Sequence, residues 1–165
     1  GALKSGWELN KLFSAMYYLF HESPARREDY ETATNSKNFP LRFCAHRWVE
    51  NGPVADRALQ LFNNFKLYVA AAEAKTVTKP TVTSYDTVKT FTGDPLTPVK
   101  IAIFASVCQQ VSPFLTLYQD DRPLLPFMAD DLFSLIRTLM QRFMKPAVLE
   151  GITKVRLMAL QPDDS

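Results

Sequence analysis

The placement of proline constrains the fold of this chain more than any other feature. Eleven prolines and five glycines are spread over 165 residues. Proline ends or kinks a helix and is favoured in its first turn, whereas tight hairpins need glycine. The balance therefore favours helices punctuated by proline over a series of hairpins. The chain is long enough for one domain with a sizeable core.

Apolar residues repeat at helical spacing from the start of the chain. Residues 9–20 predict a helix of about four turns, opened by a capping box that pairs Ser5 with Glu8. Residues 23–24, a Ser-Pro pair, are typical of an N-cap and first turn. We therefore expect a second, polar helix that ends near Asn35.

Residues 39–49 have a different pattern, because polar and apolar side chains alternate there after Pro40. This segment is expected to be a connector or a short strand. Gly52 and Pro53 then predict the start of a third helix. Its apolar face covers residues 54–69 and continues into an alanine run.

The second half of the chain predicts further helices. Ser84 is expected to cap a short helix over residues 84–93. Residues 99–117 are apolar on more than one side, so this helix should lie at the centre of the core, bent or broken by Pro113. Residues 132–143 predict another amphipathic helix.

The fold class that follows is all-α. The tail after Gly151 fits a helix better than a strand, and no internal repeat is present. We expect an irregular bundle of proline-broken helices over residues 1–165 as a single helical domain. One short extended segment near residues 39–49 is compatible with this fold.

Composition limits the function classes and the compartment. Nineteen Lys and Arg against seventeen Asp and Glu leave a net charge of +2, too small to indicate a polyanion partner by itself. Cys44 and Cys108 are the only cysteines, which excludes a disulfide framework and favours a reducing compartment. No apolar run approaches the roughly 20 residues of a membrane span. We expect a soluble, intracellular protein without a membrane segment.

Three pairs of adjacent acids are candidate ligands for a divalent cation, which prefers oxygen donors. They are Asp120–Asp121, Asp130–Asp131 and Asp163–Asp164. Adjacent carboxylates on a helix point about 100° apart and do not converge on one ion. Capping and solvation explain them better, with the second pair in the first turn of a helix.

Cys44 and His46 raise the question of zinc or a thiol nucleophile. Zinc needs four ligands, but Cys108 lies in an apolar helix and His21 at a helix end. Residues two apart on a strand share a face, so a Cys44 nucleophile stays open. The chain has no glycine-rich phosphate loop and no hydrolase or metalloprotease motif. The prediction is a non-enzyme without cofactor or metal, and a hydrolase using Cys44 or paired aspartates ranks last.

Basic and aromatic side chains are interleaved in the connector. They are Arg42, Phe43, His46, Arg47 and Trp48. An indole beside a guanidinium can stack on a base and neutralise its phosphate, and stacking contributes about 1–3 kcal/mol per base. The structural alternative is a Trp48 packed in the core, with Arg47 paired to Glu50 or Asp56.

The same segment resembles a known family. Residues 43–51, Phe-Cys-Ala-His-Arg-Trp-Val-Glu-Asn, running into residues 53–58, resemble the Arg-Trp region of hAT-superfamily transposases and host proteins derived from them. Residues 19–27 are similar to the upstream stretch, where a helix ends in a Ser-Pro-x-Arg turn. Residues 94–96 and 111–116 are similar with less specificity.

The resemblance implies a specific place in a larger protein. In that family a long helical insertion interrupts a ribonuclease-H-like core, with two catalytic aspartates before it and a glutamate after it. The tryptophan matching Trp48 is associated with stabilising a flipped base, and the arginine matching Arg47 lies beside it. This chain begins too late to include the two aspartates, and Glu150 does not match the glutamate. It therefore resembles the inserted helical domain without the cleavage machinery.

The predicted function follows from these residues and this resemblance. We expect a non-catalytic domain of a transposase-derived nuclear protein that contacts DNA or positions a ribonuclease-H-like core of its parent chain. Arg47 and Trp48 would make the contact, supported by Arg42 and His46. The alternative is a protein-interaction or scaffolding domain in which Trp48 belongs to the core.

Overall fold

A computed structural model describes residues 7–45, 48–119 and 125–159. These ranges contain helices and no β-strand, so the predicted all-α class is confirmed. The helices are α1 (Leu9–Phe20), α2 (Pro24–Thr34), α3 (Trp48–Glu73), α4 (Thr83–Gly93), α5 (Thr97–Tyr118), α6 (Leu125–Met140), α7 (Pro146–Leu149) and α8 (Lys154–Ala159).

The chain forms two compact units, residues 1–108 and residues 109–165. In the first unit α1 packs on α4, and both helices also contact α3. In the second unit Leu149 and Leu157 are buried, and the Tyr118 hydroxyl donates a 2.7 Å hydrogen bond to Asp131. The boundary between the units falls within α5.

Aromatic rings fill the centre of the first unit. The Phe20 ring lies 4.9 Å from Tyr30, 5.5 Å from Phe39, 5.7 Å from Phe65 and 5.6 Å from Tyr68, measured between centroids. Tilted and edge-on pairs at these separations add to the free energy of area burial. Phe20 therefore joins α1, α2, α3 and the segment after α2 in one cluster.

The helix starts differ from the predicted caps. Glu8 is the N-cap of α1 in a left-handed conformation (φ 47°), so the predicted capping box, which needs Glu8 in the first turn, is wrong; Ser5 lies outside the described residues. Ser23 does precede α2, but its Oγ accepts from Arg26 Nε at 2.7 Å instead of capping a backbone N–H. Val82 is the N-cap of α4, which places Ser84 inside the first turn.

Helix α3 begins at Trp48, before the predicted start at Gly52 and Pro53. Pro53 therefore lies inside the helix, where it lacks the N–H that would bond the carbonyl four residues earlier. The segment before α3 is an irregular connector with no strand in residues 36–45. Of the two predicted alternatives, a connector or a short strand, the structure shows the connector, and it ends before residue 49 because α3 begins at Trp48.

Helix α5 is continuous through Pro113, so of the predicted bend or break there the break does not occur. Its predicted place at the centre of the core is wrong, because only one stripe is buried: Thr97, Ile101, Ala105 and Cys108. Val99, on another side, is 53% exposed. Among the described residues α5 is the one helix long and apolar enough to cross a membrane by length and composition. A core helix of a soluble protein meets the same two criteria.

Candidate nucleic-acid interface

The connector between α2 and α3, residues 35–47, runs along α1 through two aromatic contacts. The Phe39 ring lies 5.5 Å from Phe20, and the Phe43 ring lies 5.7 Å from Phe13. Phe13 and Phe20 are seven residues apart, which is about two helical turns, and therefore lie on one side of α1. The connector is thus bound at two points along the same helix face.

Asn51 fixes the end of the connector to α3. Its Nδ2 donates to the Cys44 carbonyl at 2.9 Å, and its Oδ1 accepts from the Cys44 N–H at 3.2 Å. Asn51 is only 3% exposed, so both hydrogen bonds are shielded from water. A side-chain amide that pairs with both polar groups of one residue satisfies a stretch of backbone that has no strand partner.

Two arginines hold the middle of the connector. Arg57 Nη1 donates to the Phe39 carbonyl at 3.3 Å. The Arg27 guanidinium lies 5.3 Å from the centroid of the Phe39 ring, and its Nε donates to the Phe20 carbonyl at 3.0 Å. These cations are occupied by the connector and by α1, and their roles are structural.

The outer side of the connector is basic. No acidic residue occurs between Glu31 and Glu50, whereas Lys37, Arg42 and Arg47 lie in that interval. Lys37 and Arg42 are exposed. We call the exposed side chains of residues 37–42 the connector surface. Its charge is local, which explains why a net charge of +2 gave no indication of it.

The structure places one of the four residues predicted to contact DNA. Arg42 is exposed on the connector surface. His46 and Arg47 lie outside the described residues. Trp48 begins α3, but its side chain also lies outside the described residues.

The candidate metal ligands form no cluster in the part of the chain that the structure describes. No group of three or more His, Cys, Asp or Glu side chains there could hold a metal ion. Asp130 and Asp131 lie beyond the first turn of α6, contrary to prediction. The other two acid pairs lie outside the described residues. Burial raises the pKa of the Cys108 thiol to about 11, which disfavours the nucleophilic thiolate.

Sequence reasoning missed the residues that fix the connector. Asn51 and Arg57 each form hydrogen bonds with backbone groups of the connector. Every residue has such groups, so the sequence does not show which residue pairs with Asn51 or Arg57. The absence of acidic residues from residues 32–49 is visible in the sequence, and it would have added Lys37 to the basic residues of the predicted site. A local count of charge, rather than the net charge, is the signal that finds this surface.

No family model, curated protein or solved structure matches the chain. The resemblance to hAT-superfamily transposases is therefore an expectation from the sequence motifs, and no relative supplies a function for the connector.

Proposed function

We propose that this domain binds nucleic acid through the connector surface, without cutting it. The observation that carries the proposal is a segment free of acids, fixed by Asn51 and Arg57, which holds Lys37 and Arg42 outward. Fixed cations bind phosphates with less loss of conformational entropy than cations on a mobile loop. Phosphate contacts supply most of the affinity of non-specific nucleic-acid binding.

The transposase resemblance extends this proposal beyond the described side chains. Arg47 and Trp48 come shortly after the connector surface in the sequence, so a guanidinium and an indole there would continue the contact with phosphate and base. His46 lies in the same stretch and belongs to the same proposed contact. The domain would then belong to a nuclear, transposase-derived protein and would position a ribonuclease-H-like core of its parent chain against DNA.

Charge reversal tests the connector surface. The double variant Lys37→Glu, Arg42→Glu should bind a fluorescent DNA duplex at least roughly tenfold more weakly in an anisotropy titration, because two phosphate contacts become repulsive. The matched control is the double variant Lys66→Glu, Lys75→Glu, which reverses two exposed lysines outside the connector and changes the net charge equally. Equal affinity of the two double variants would refute the proposal.

Tryptophan emission tests the extension to Trp48. The chain has two tryptophans, Trp7 and Trp48, so Trp7→Phe leaves one indole to report. Its emission should fall when single-stranded or branched DNA is added. Unchanged emission, or an equal affinity for Trp48→Ala, would remove Trp48 from the proposed contact.

The scaffolding alternative makes a different prediction for the same residue. If Trp48 is a core side chain, Trp48→Ala should lower the free energy of unfolding by about 3–5 kcal/mol. If it is a surface side chain, the change should stay within about 0.5 kcal/mol.

Exposed phenylalanines in the second unit favour a protein partner for that unit, with Phe127 61% and Phe143 66% exposed.

A further inference from the structure

Three aromatic side chains form a partly exposed cluster at the end of α1, with Tyr18 exposed and Tyr17 and His21 half-buried. The Tyr17 ring lies 5.3 Å from Tyr18 and 5.1 Å from the His21 imidazole, and Tyr18 lies 5.8 Å from His21. Tyr18 is 50% exposed and the His21 side chain 38%. Aromatic rings are normally buried, so aromatic side chains that contact each other at the surface can present ring faces to a ligand.

Helical geometry places this cluster beside the connector. Tyr17 lies four residues after Phe13 and three before Phe20, and at about 100° per residue it shares their side of α1. Phe13 and Phe20 are the residues on which the connector packs. Tyr18 and His21 continue from Tyr17 around α1 toward its polar side. Tyr17 therefore lies on the side of α1 that the connector contacts through Phe39 and Phe43.

The rings suit a flat neutral partner better than a cation. Tyr17 and Tyr18 meet at 79° and at contact distance, so they leave no gap of the kind that encloses an ammonium group. The Glu22 Oε2 lies 3.8 Å from His21 Nδ1, so the cluster itself includes a carboxylate neighbour and the phosphate contacts have to come from the connector surface. Stacking on a π-face is common to all nucleobases and needs unpaired bases.

We propose that the aromatic cluster, Tyr17, Tyr18 and His21, stacks on unpaired bases of a single strand whose phosphates contact the connector surface. This inference rests on the proposed function, because the connector surface supplies the phosphate contacts. It adds a substrate class: single-stranded nucleic acid, or duplex with unpaired bases, in preference to regular duplex. Bases inside a regular duplex are stacked on each other and present no free face.

Paired binding measurements test the inference. Affinities for an oligothymidylate of about 20 nucleotides and for a duplex of the same length are measured by fluorescence anisotropy. This length of about 20 nucleotides exceeds a typical single-strand binding site. Tyr18→Ala should weaken single-strand binding roughly 5- to 100-fold and leave duplex binding within about twofold. Tyr18→Phe keeps the ring and should bind like the parent chain. Leu67→Ala controls for loss of a side chain that is equally exposed, at 54%.

Each result separates the cluster from the connector. Equal single-strand affinity of Tyr18→Ala and Leu67→Ala, with binding that still depends on Lys37 and Arg42, overturns the stacking cluster and leaves the proposed function intact. An equal loss for single strand and duplex also overturns it. Absence of binding to either probe overturns both proposals. Circular dichroism of each variant verifies that the helices are retained.

Discussion

Replacement of Asn51 by alanine tests how firmly the connector is held. The variant removes two hydrogen bonds to the Cys44 backbone, at 2.9 and 3.2 Å, from a side chain that is 3% exposed. A protein hydrogen bond contributes a net of about 0.5–1.5 kcal/mol. The two bonds together predict a loss of about 1–3 kcal/mol.

The control for this variant is Asn63→Ala. Asn63 is exposed and lies in the same helix, α3. Alanine has a higher helix propensity than asparagine by up to about 0.7 kcal/mol, and this gain occurs at both positions. The difference between the two variants therefore isolates the hydrogen bonds to Cys44.

Urea denaturation followed by circular dichroism measures this difference. Asn51→Ala should unfold at a lower urea concentration than Asn63→Ala, with a difference of about 2 kcal/mol. The DNA affinity of Asn51→Ala, measured without urea, should fall as well, because the backbone that carries Lys37 and Arg42 is no longer fixed. Equal unfolding midpoints for the two variants would refute the role given to Asn51.

Three further predictions concern other parts of the first unit. Hydrogen bonds from Lys79, Lys89 and Tyr85 lower the pKa of Glu73 to about 2. The ionised Glu73 therefore stabilises the fold above its ordinary pKa near 4.5, and this stabilisation is lost as the pH falls toward 2. Glu73→Gln should flatten the dependence of the free energy of unfolding on pH between these values. Gly52→Ala should raise the free energy of unfolding by about 0.5–1 kcal/mol, since the new Cβ meets Cys108 Cβ at an ordinary 3.6 Å; a lower thermal midpoint would contradict this. Timed alkylation with mass spectrometry should find Cys108 protected in the native state, where its pKa is raised to about 11, and reactive in urea.

Most of the helices could be predicted from the sequence because their apolar faces repeat at the right period. The apolar face of residues 9–20 lies in α1, and α4 ends at Gly93 as expected, although the capping box that would open α1 was mispredicted. The errors lie where a local signal competes with a tertiary contact. Pro53 signalled a helix start, but α3 begins at Trp48, where Asn51 already bonds the connector.

The place of α5 was mispredicted for a related reason. Apolar residues on several sides of a helix usually indicate complete burial. In this chain only the stripe through Ile101, Ala105 and Cys108 is buried, and Val99 is exposed. Periodicity therefore gave the helix and its length, whereas the number of faces covered depends on neighbours that a sequence does not position.

Only some residues of the proposed site could be chosen from the sequence. Arg42 was chosen because it lies near Trp48, and it is exposed as a contact residue requires. Lys37, Asn51 and the Tyr17–Tyr18–His21 cluster were not chosen. Side chains from α1 and from the connector meet only after folding, because Phe39 and Phe43 bring two distant segments together.

A chemical-shift titration is the most direct test of the claim that the connector is the nucleic-acid surface. Backbone amide resonances of the isotope-labelled chain are followed as single-stranded DNA is added. The largest changes should fall in residues 36–45 and at the end of α1, with little change in α4. Changes concentrated in α4 or α6, or no change at saturating DNA, would contradict the account.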